Sequence, residues 1–193
     1  MPTALDDDRL ERLIADAARQ SQRRRDVRAA AREGRGSGFD GFVAADPRQL
    51  HDELARRRGA SSSFLELGSG QGLVTIIADL LGYDACGIES RAELVEDAED
   101  LAARHGAAPR FVVGSFLPRG EELGTLLDAD FHVTDDQAAS AWDEVRLRDF
   151  DLVYAFPWPG EEELFAALLQ RHGRKGQCLL TWQSAEGFTE LFV

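Results

Sequence analysis

Between Phe64 and Glu89 the chain reads FLELGSGQGLVTIIADLLGYDACGIE, and few folds accept such a stretch. A short apolar run, Phe64 to Leu67, carries one acid at Glu66 and breaks into Gly68-Ser69-Gly70-Gln71-Gly72. An apolar, helix-like segment follows at once, from Leu73 to Leu81. A second short strand, Ala85 to Ile88, then ends in Glu89. Strand, glycine turn, helix, strand and terminal acid make a βαβ unit of the nucleotide-binding kind. Glycines let the backbone turn sharply and approach a ligand closely. The helix start offers unpaired N–H groups to an anionic group. An acid at the tip of the second strand can accept both hydroxyls of a ribose.

The remaining elements continue the same alternation. Residues 4–33 read as one helix with a weak point near Ser21, and Leu5, Leu10, Leu13, Ile14 and Ala17 form a narrow apolar stripe. Asp6, Asp7 and Asp8 sit in its first turn and arginines crowd its end, as the helix dipole prefers. Two readings of that arginine-rich end stay open: a solvated face, or a surface docked on the domain or on a second subunit. GRGSGFDG, residues 34–41, is a flexible connector. Asp46 and Pro47 are the N-cap and first residue of a second helix. After Glu89 come a helix over 91–105 closed by Gly106, and a third strand over 110–114. Residues 119–149 are acidic and long for a crossover, so they are expected to shape a substrate entrance and to hold one or two short helices. A fourth strand over 150–156, a helix over 161–172 and a fifth strand over 177–182 complete the pattern. The tail GFTELFV has the composition of one further edge strand.

Charge separates the two ends of the chain. Residues 1–60 hold 13 arginines against 11 acids, whereas the rest holds 9 lysines and arginines against 24 acids. An acidic domain of this kind repels nucleic acid and attracts cations, so a nucleic-acid partner is not expected. Asp26 and Glu33 among the N-terminal arginines, with no aromatic residue between them, argue against a nucleic-acid arm as well. No apolar run approaches the roughly 20 residues that span a bilayer, and the first ten residues lack a signal-peptide pattern. Cys86 and Cys178 fall on the second and fifth strands, about 14 Å apart in a 3-2-1-4-5 sheet, too far for a disulfide. A cytoplasmic, reduced location is the expectation. The histidines and acids show no metal-ligand spacing.

The nucleotide is narrowed by the glycine spacing. Dinucleotide folds read G-x-G-x-x-G, which requires glycine at position 73, where this chain has Leu73. Acid-x-Gly-x-Gly-x-Gly, from Glu66 to Gly72, resembles motif I of class I (seven-strand, Rossmann-like) S-adenosylmethionine-dependent methyltransferases. The resemblance runs from about Phe42 to Trp182. It implies a three-layer α/β sandwich with a mostly parallel sheet of order 3-2-1-4-5, N-terminal helices, and a C-terminal edge shorter than the two extra strands of the complete fold. It also implies an N-terminal helical extension and connector over 1–40 and an S-adenosylmethionine-binding methyltransferase domain over 41–193.

Residue by residue, Glu66, Gly68, Ser69, Gly70 and Gly72 match motif I, whose acid faces the cationic methionyl end of the cofactor. Glu89 matches the ribose-binding acid. Ser115 stands where the family usually has an acid that receives the adenine amino group, and Phe116 is placed to flank the adenine ring. Phe42-Val43 and Pro47 resemble a (Phe/Tyr)-Val-Pro-Thr-Pro segment of some seven-strand protein-lysine methyltransferases, which lies over the cofactor. At the fourth-strand end, Phe156-Pro157-Trp158-Pro159 departs from the (Asn/Asp)-Pro-Pro-Tyr of amide and base N-methyltransferases. The missing polar group disfavours glutamine amides and DNA bases. Phe156 and Trp158 either wall an aromatic slot for an amine by cation–π attraction or pack under the next helix. Of four histidines, only His132, in the acidic insert, is placed to reach a substrate as a base.

Three functions follow from these residues. The first is in-line methyl transfer from S-adenosylmethionine to a small-molecule or protein amine, or another nucleophile. The second is a module that holds the cofactor without turnover, suggested by the short tail, Ser115 and Phe156. The third, disfavoured by Leu73, is a dinucleotide-dependent oxidoreductase. A homodimer through the amphipathic N-terminal helix is also expected.

Overall fold

The computed structural model describes residues 5–31, 46–119, 139–158, 161–183 and 187–193. Helix α1 (Asp7–Ala31) and helix α2 (Pro47–Arg57) come first. The alternating core then runs β1 (Ser63–Leu67), α3 (Leu73–Leu80), β2 (Asp84–Glu89), α4 (Ala92–Arg104) and β3 (Arg110–Val113). Two single-turn 3₁₀ segments, Ala141–Asp143 and Leu147–Asp149, precede β4 (Leu152–Ala155). The chain closes with α5 (Glu162–His172), β5 (Cys178–Gln183) and β6 (Gly187–Phe192).

The sheet order is β3-β2-β1-β4-β5-β6. Five strands are parallel and β6 lies antiparallel on β5, so the tail forms the edge strand its composition suggested. Handedness then sets which face each helix covers. Right-handed crossovers that step from β1 to β2 to β3 place α3 and α4 on one face, and the step from β4 to β5 places α5 on the other. Alternation along each strand then divides the core. Phe64, Leu152, Tyr154 and Leu180 face Ile76, Ile77 and Leu101 of α3 and α4. Leu65, Val153 and Leu179 face Leu164, Phe165 and Leu168 of α5. Both cysteines are buried and free.

Helix α1 runs without a break through Ser21. Its stripe residues Leu10, Leu13 and Ala17 are buried in the same cluster as Leu50, Leu54, Ile77 and Leu101, and Ile14 packs beside them. The apolar surface that suggested a dimer is therefore covered by the chain's own domain. Arginines take part as well: Arg9 Nη2 donates to His105 O at 2.6 Å, and Arg48 pairs with Glu11 across α1 and α2. In the arginine-rich end both readings left open are met in part: Arg24 docks on Asp97 of α4, while Arg23 and Arg25 stay exposed. Leu13 is fully buried. Leu13→Ala is expected to lower the unfolding free energy by about 2–5 kcal/mol, read from the urea midpoint. A loss near zero would show that α1 is a dispensable appendage.

Candidate functional site

The carboxyl ends of the parallel strands bring the sequence-predicted residues into one row. Leu67 pairs with Ile88 on one side and Ala155 on the other. The N–H groups of Gly68 and Ser69 both donate to Ile88 O, at 2.9 and 2.8 Å, and Gly114 N–H donates to Glu89 O at 2.9 Å. The strand order reverses between β1 and β4, and the ends of an open α/β sheet at such a reversal form a crevice where ligands bind.

Glu89 ties the glycine loop to the second strand. It is buried, its Oε2 accepts the Gly70 N–H at 2.9 Å, and its Oε1 accepts the Arg91 N–H at 3.0 Å. A carboxylate has about four acceptor positions, so capacity remains for a ligand's hydroxyls. Nothing lies within 4 Å of the position a Cβ on Gly70 would occupy, so the loop opens outward at that residue. Ser69 is buried, and among the described residues its Oγ is the buried side-chain oxygen without a hydrogen-bond partner. An unsatisfied hydroxyl of this kind costs free energy unless a ligand or water pairs with it.

Glu66 lies beneath this loop. Its Oε2 accepts both the Thr75 N–H, at 2.9 Å, and the Thr75 hydroxyl, at 2.5 Å, so the carboxyl group anchors the first turn of α3. Burial pushes its pKa up to about 8, partly offset by the two Thr75 bonds, while negative Glu89 adds to the rise. Gly87 leaves the room this packing needs: a Cβ there would stand 2.8 Å from Ser69 Oγ and Thr75 Oγ1.

Sequence reasoning missed the contacts that hold Gln71, the residue between the last two loop glycines. Gln71 Nε2 donates to Asp97 Oδ2 at 2.8 Å, and the Ser21 hydroxyl of α1 donates to Gln71 Oε1. Arg24 completes the relay by pairing with Asp97 and donating to Glu93 O. Burial opposes ionisation of Asp97, yet Arg24 and Gln71 together hold its carboxyl below the usual range. The glycine loop is therefore braced from outside by α1 and α4. The only sequence signal was the arginine-rich end of α1, which names no partner.

The adenine-side expectations divide. Phe116 comes to the site, its Cε1 3.9 Å from the would-be Cβ of Gly68 and its ring 5.4 Å from that of Phe165. Ser115 is buried, and its hydroxyl accepts the Leu117 N–H at 3.1 Å, closing its own turn. That turn is latched by residues 139–142: Ser115 N–H donates to Ala139 O at 2.8 Å, and Trp142 Nε1 donates to Phe116 O at 2.8 Å.

On the β4 side, Phe156 stacks on Trp182 of β5, with centroids 5.5 Å apart and planes 18° from parallel. Trp182 was not singled out from the sequence. It meets Phe156 because Ala155 pairs with Thr181 and the strands run parallel. Trp158 is half-buried and its carbonyl accepts the Glu161 N–H at 2.9 Å. Phe42 and His132 lie outside the described residues. The other histidines stand away from this row: His51 beside Asp52, His105 on Asp16, and His172 against Trp142. Among the described residues no cluster of histidine, cysteine and acids could hold a metal, and no helix is long and apolar enough to cross a membrane.

No family model matches the chain. Ribosomal protein L11 methyltransferase of Thermus thermophilus is 39% identical over 84 residues, which is 41% of this chain and 33% of that protein. The match thus spans about a third of that relative's length. Among solved structures, an RNA methyltransferase from Salinibacter ruber in complex with S-adenosyl-L-homocysteine superposes with TM-score 0.51. It is 18% identical and covers 72% of this chain and 76% of that one. Cofactor-bound Rv0187 from MTB has TM-score 0.54 and 19% identity, over 91% of this chain and 65% of its own. Identities this low speak for the fold.

Proposed function

We propose that this chain, which has the class I Rossmann-like methyltransferase fold, moves a methyl group from S-adenosylmethionine to an amine of a small molecule or protein. The observation that carries this reading is the Gly68–Gly72 loop, closed on Glu89 through the Gly70 N–H, open above Gly70, and holding an unpaired buried hydroxyl at Ser69. These residues fit a nucleoside with an amino-acid tail. Glu89 would take the ribose hydroxyls, Phe116 would flank the base, and Ser69 and the loop N–H groups would meet the polar tail. Glu66, protonated in the free protein at neutral pH, would become a countercharge from below by giving up its proton to solvent as the cationic tail binds.

When bound, the cofactor supplies a methyl group on a sulfonium, an already activated leaving group. The protein's part is then positioning and exclusion of water. The α1 and α4 brace on Gln71 holds the loop so that its N–H groups need not reorganise on binding. The Phe156–Trp182 stack offers ring faces beside the open end of the loop, a surface suited to a methylammonium or amine. The relative that methylates a ribosomal protein supports a protein acceptor. A cofactor-holding module without turnover is the second reading, favoured by Ser115, whose hydroxyl is engaged with Leu117 rather than being an acid.

The two readings separate in one experiment. Wild-type protein, deuterated-methyl S-adenosylmethionine and a fractionated lysate are expected to give a labelled protein or metabolite by mass spectrometry. Phe156→Ala is then expected to lower kcat/KM for that acceptor by about tenfold with cofactor affinity unchanged. Cofactor binding with no labelled product in any fraction would leave the module reading standing and sink catalysis.

A further inference from the structure

Outside the glycine loop, a cleft of about 330 Å³ is lined by Trp142, Arg146, Leu147, Arg148 and His172. Arg146 and Arg148 lie just before β4, and His172 ends α5 just before β5. Its volume is within the usual range for a small-ligand site. We infer that this cleft binds a nucleotide phosphate, with Arg146 and Arg148 on the phosphate and the Trp142–His172 pair against the base, independently of the methyl-transfer reading.

Three observations carry the assignment. First, both guanidiniums lack a carboxylate partner among the described residues, although exposed Glu144 and Asp149 are close in sequence and the chain as a whole is acidic. Neighbouring arginines show the contrast: Arg119 pairs with Asp143 and Arg174 with Asp151. Second, the loop that presents them is rigidly held. Leu147 is buried between them, and the buried Gln177 amide donates to Leu147 O at 2.6 Å and Phe150 O at 3.0 Å. Arg174 Nε donates to Arg148 O at 3.0 Å. Two unpaired guanidiniums on a fixed turn suit a phosphate, whose oxygens accept their forked N–H groups bidentately. Third, the cleft has an aromatic wall. Trp142 meets His172 edge to face with centroids 4.9 Å apart, and its Nε1 is fixed on Phe116 O. A fixed indole is a stacking surface for a planar base. Phosphate and base contacts in one cleft fit a nucleotide better than a bare anion or a carboxylate ligand.

The probes are uridine monophosphate, a short oligouridylate and inorganic phosphate, titrated by calorimetry and by tryptophan emission. Uridine keeps the probe from competing for an adenine site. Uridine monophosphate is expected to bind saturably, with an emission change lost in Trp142→Phe. Its affinity should fall about tenfold in Arg148→Ala and in Arg146→Ala, with part of it regained in Arg148→Lys. Both arginines are exposed, so these variants should melt with wild type. Oligouridylate binding that is tighter and falls with salt would assign the site to an RNA strand, and equal affinity would assign it to a free nucleotide. Phosphate binding as tightly as uridine monophosphate would overturn the nucleotide assignment. So would no saturation at millimolar ligand, equal affinity in the double arginine variant, or loss of binding in Gly70→Val.

Discussion

Gly70→Val is expected to remove S-adenosylmethionine and S-adenosylhomocysteine binding from a protein that still folds. Gly70 has φ +54°, in the left-handed region, where a β-branched residue is strained by roughly 1–2 kcal/mol. A folded domain of this size tolerates such a cost. The valine methyls would enter the space that lies open above the loop, since nothing approaches that position within 4 Å. Rotation of residue 70 to relieve the strain would also withdraw its N–H from Glu89 Oε2. Calorimetric titration should show micromolar binding in wild type and at least about a 100-fold loss in the variant, or about 2.7 kcal/mol. Wild-type protein that binds neither compound would sink the proposed cofactor. Gly72→Val should fail differently: a Cβ there would stand 2.6 Å from the Phe111 ring and 2.7 Å from Ala98 Cβ, so the loss is in folding. Loss of binding at Gly70 without loss of stability, and loss of stability at Gly72, would together locate the ligand above Gly70.

The second large effect is on pH. In the unfolded chain Glu66 titrates as an ordinary carboxyl, near 4.5, whereas in the folded protein burial pushes it up to about 8. Between those values the folded state holds a proton the unfolded state does not. The Glu66 contribution to stability is therefore complete below about pH 4.5, declines as pH rises, and is gone above about 8. A single such group gives a slope of roughly 1.4 kcal/mol per pH unit inside the window. Glu66→Gln mimics the protonated form and keeps an acceptor for Thr75, so its urea midpoint should change less between pH 5 and 8 than that of wild type. Parallel pH profiles for the two proteins would show that Glu66 is ionised throughout. The same proton reports on the site. If a cationic ligand settles above Glu66 at neutral pH, binding should release a proton, measurable by calorimetry in buffers of different ionisation enthalpy.

The strands, the glycine turn and the acid at the tip of β2 were readable because each is a local matter. Apolar runs, glycines at positions 68, 70 and 72, and an acid closing a short strand are written within 26 consecutive residues. The Asp46 cap showed itself in the same way: its Oδ1 accepts the Arg48 N–H at 3.0 Å, as an aspartate before a helix-starting proline is expected to do. The strand order came with the resemblance to the class I methyltransferase fold, and crossover handedness then set which face each helix covers. The fate of α1 was not readable, because an amphipathic stripe says that a face is buried and never against what.

By itself the sequence determined the βαβ unit and the identity of the loop that would meet a nucleotide, since short-range sterics and hydrogen bonding decide these. The tertiary structure alone decided that Thr75 occupies the Glu66 carboxylate, that Ser21, Arg24 and Asp97 brace Gln71, that Phe156 stacks on Trp182, and that Arg146 and Arg148 share a cleft with Trp142 and His172. The physical reason is distance along the chain. Arg24 and Asp97 are 73 residues apart, so no periodicity relates them. They pair because α1 and α4 pack on the same face of the sheet.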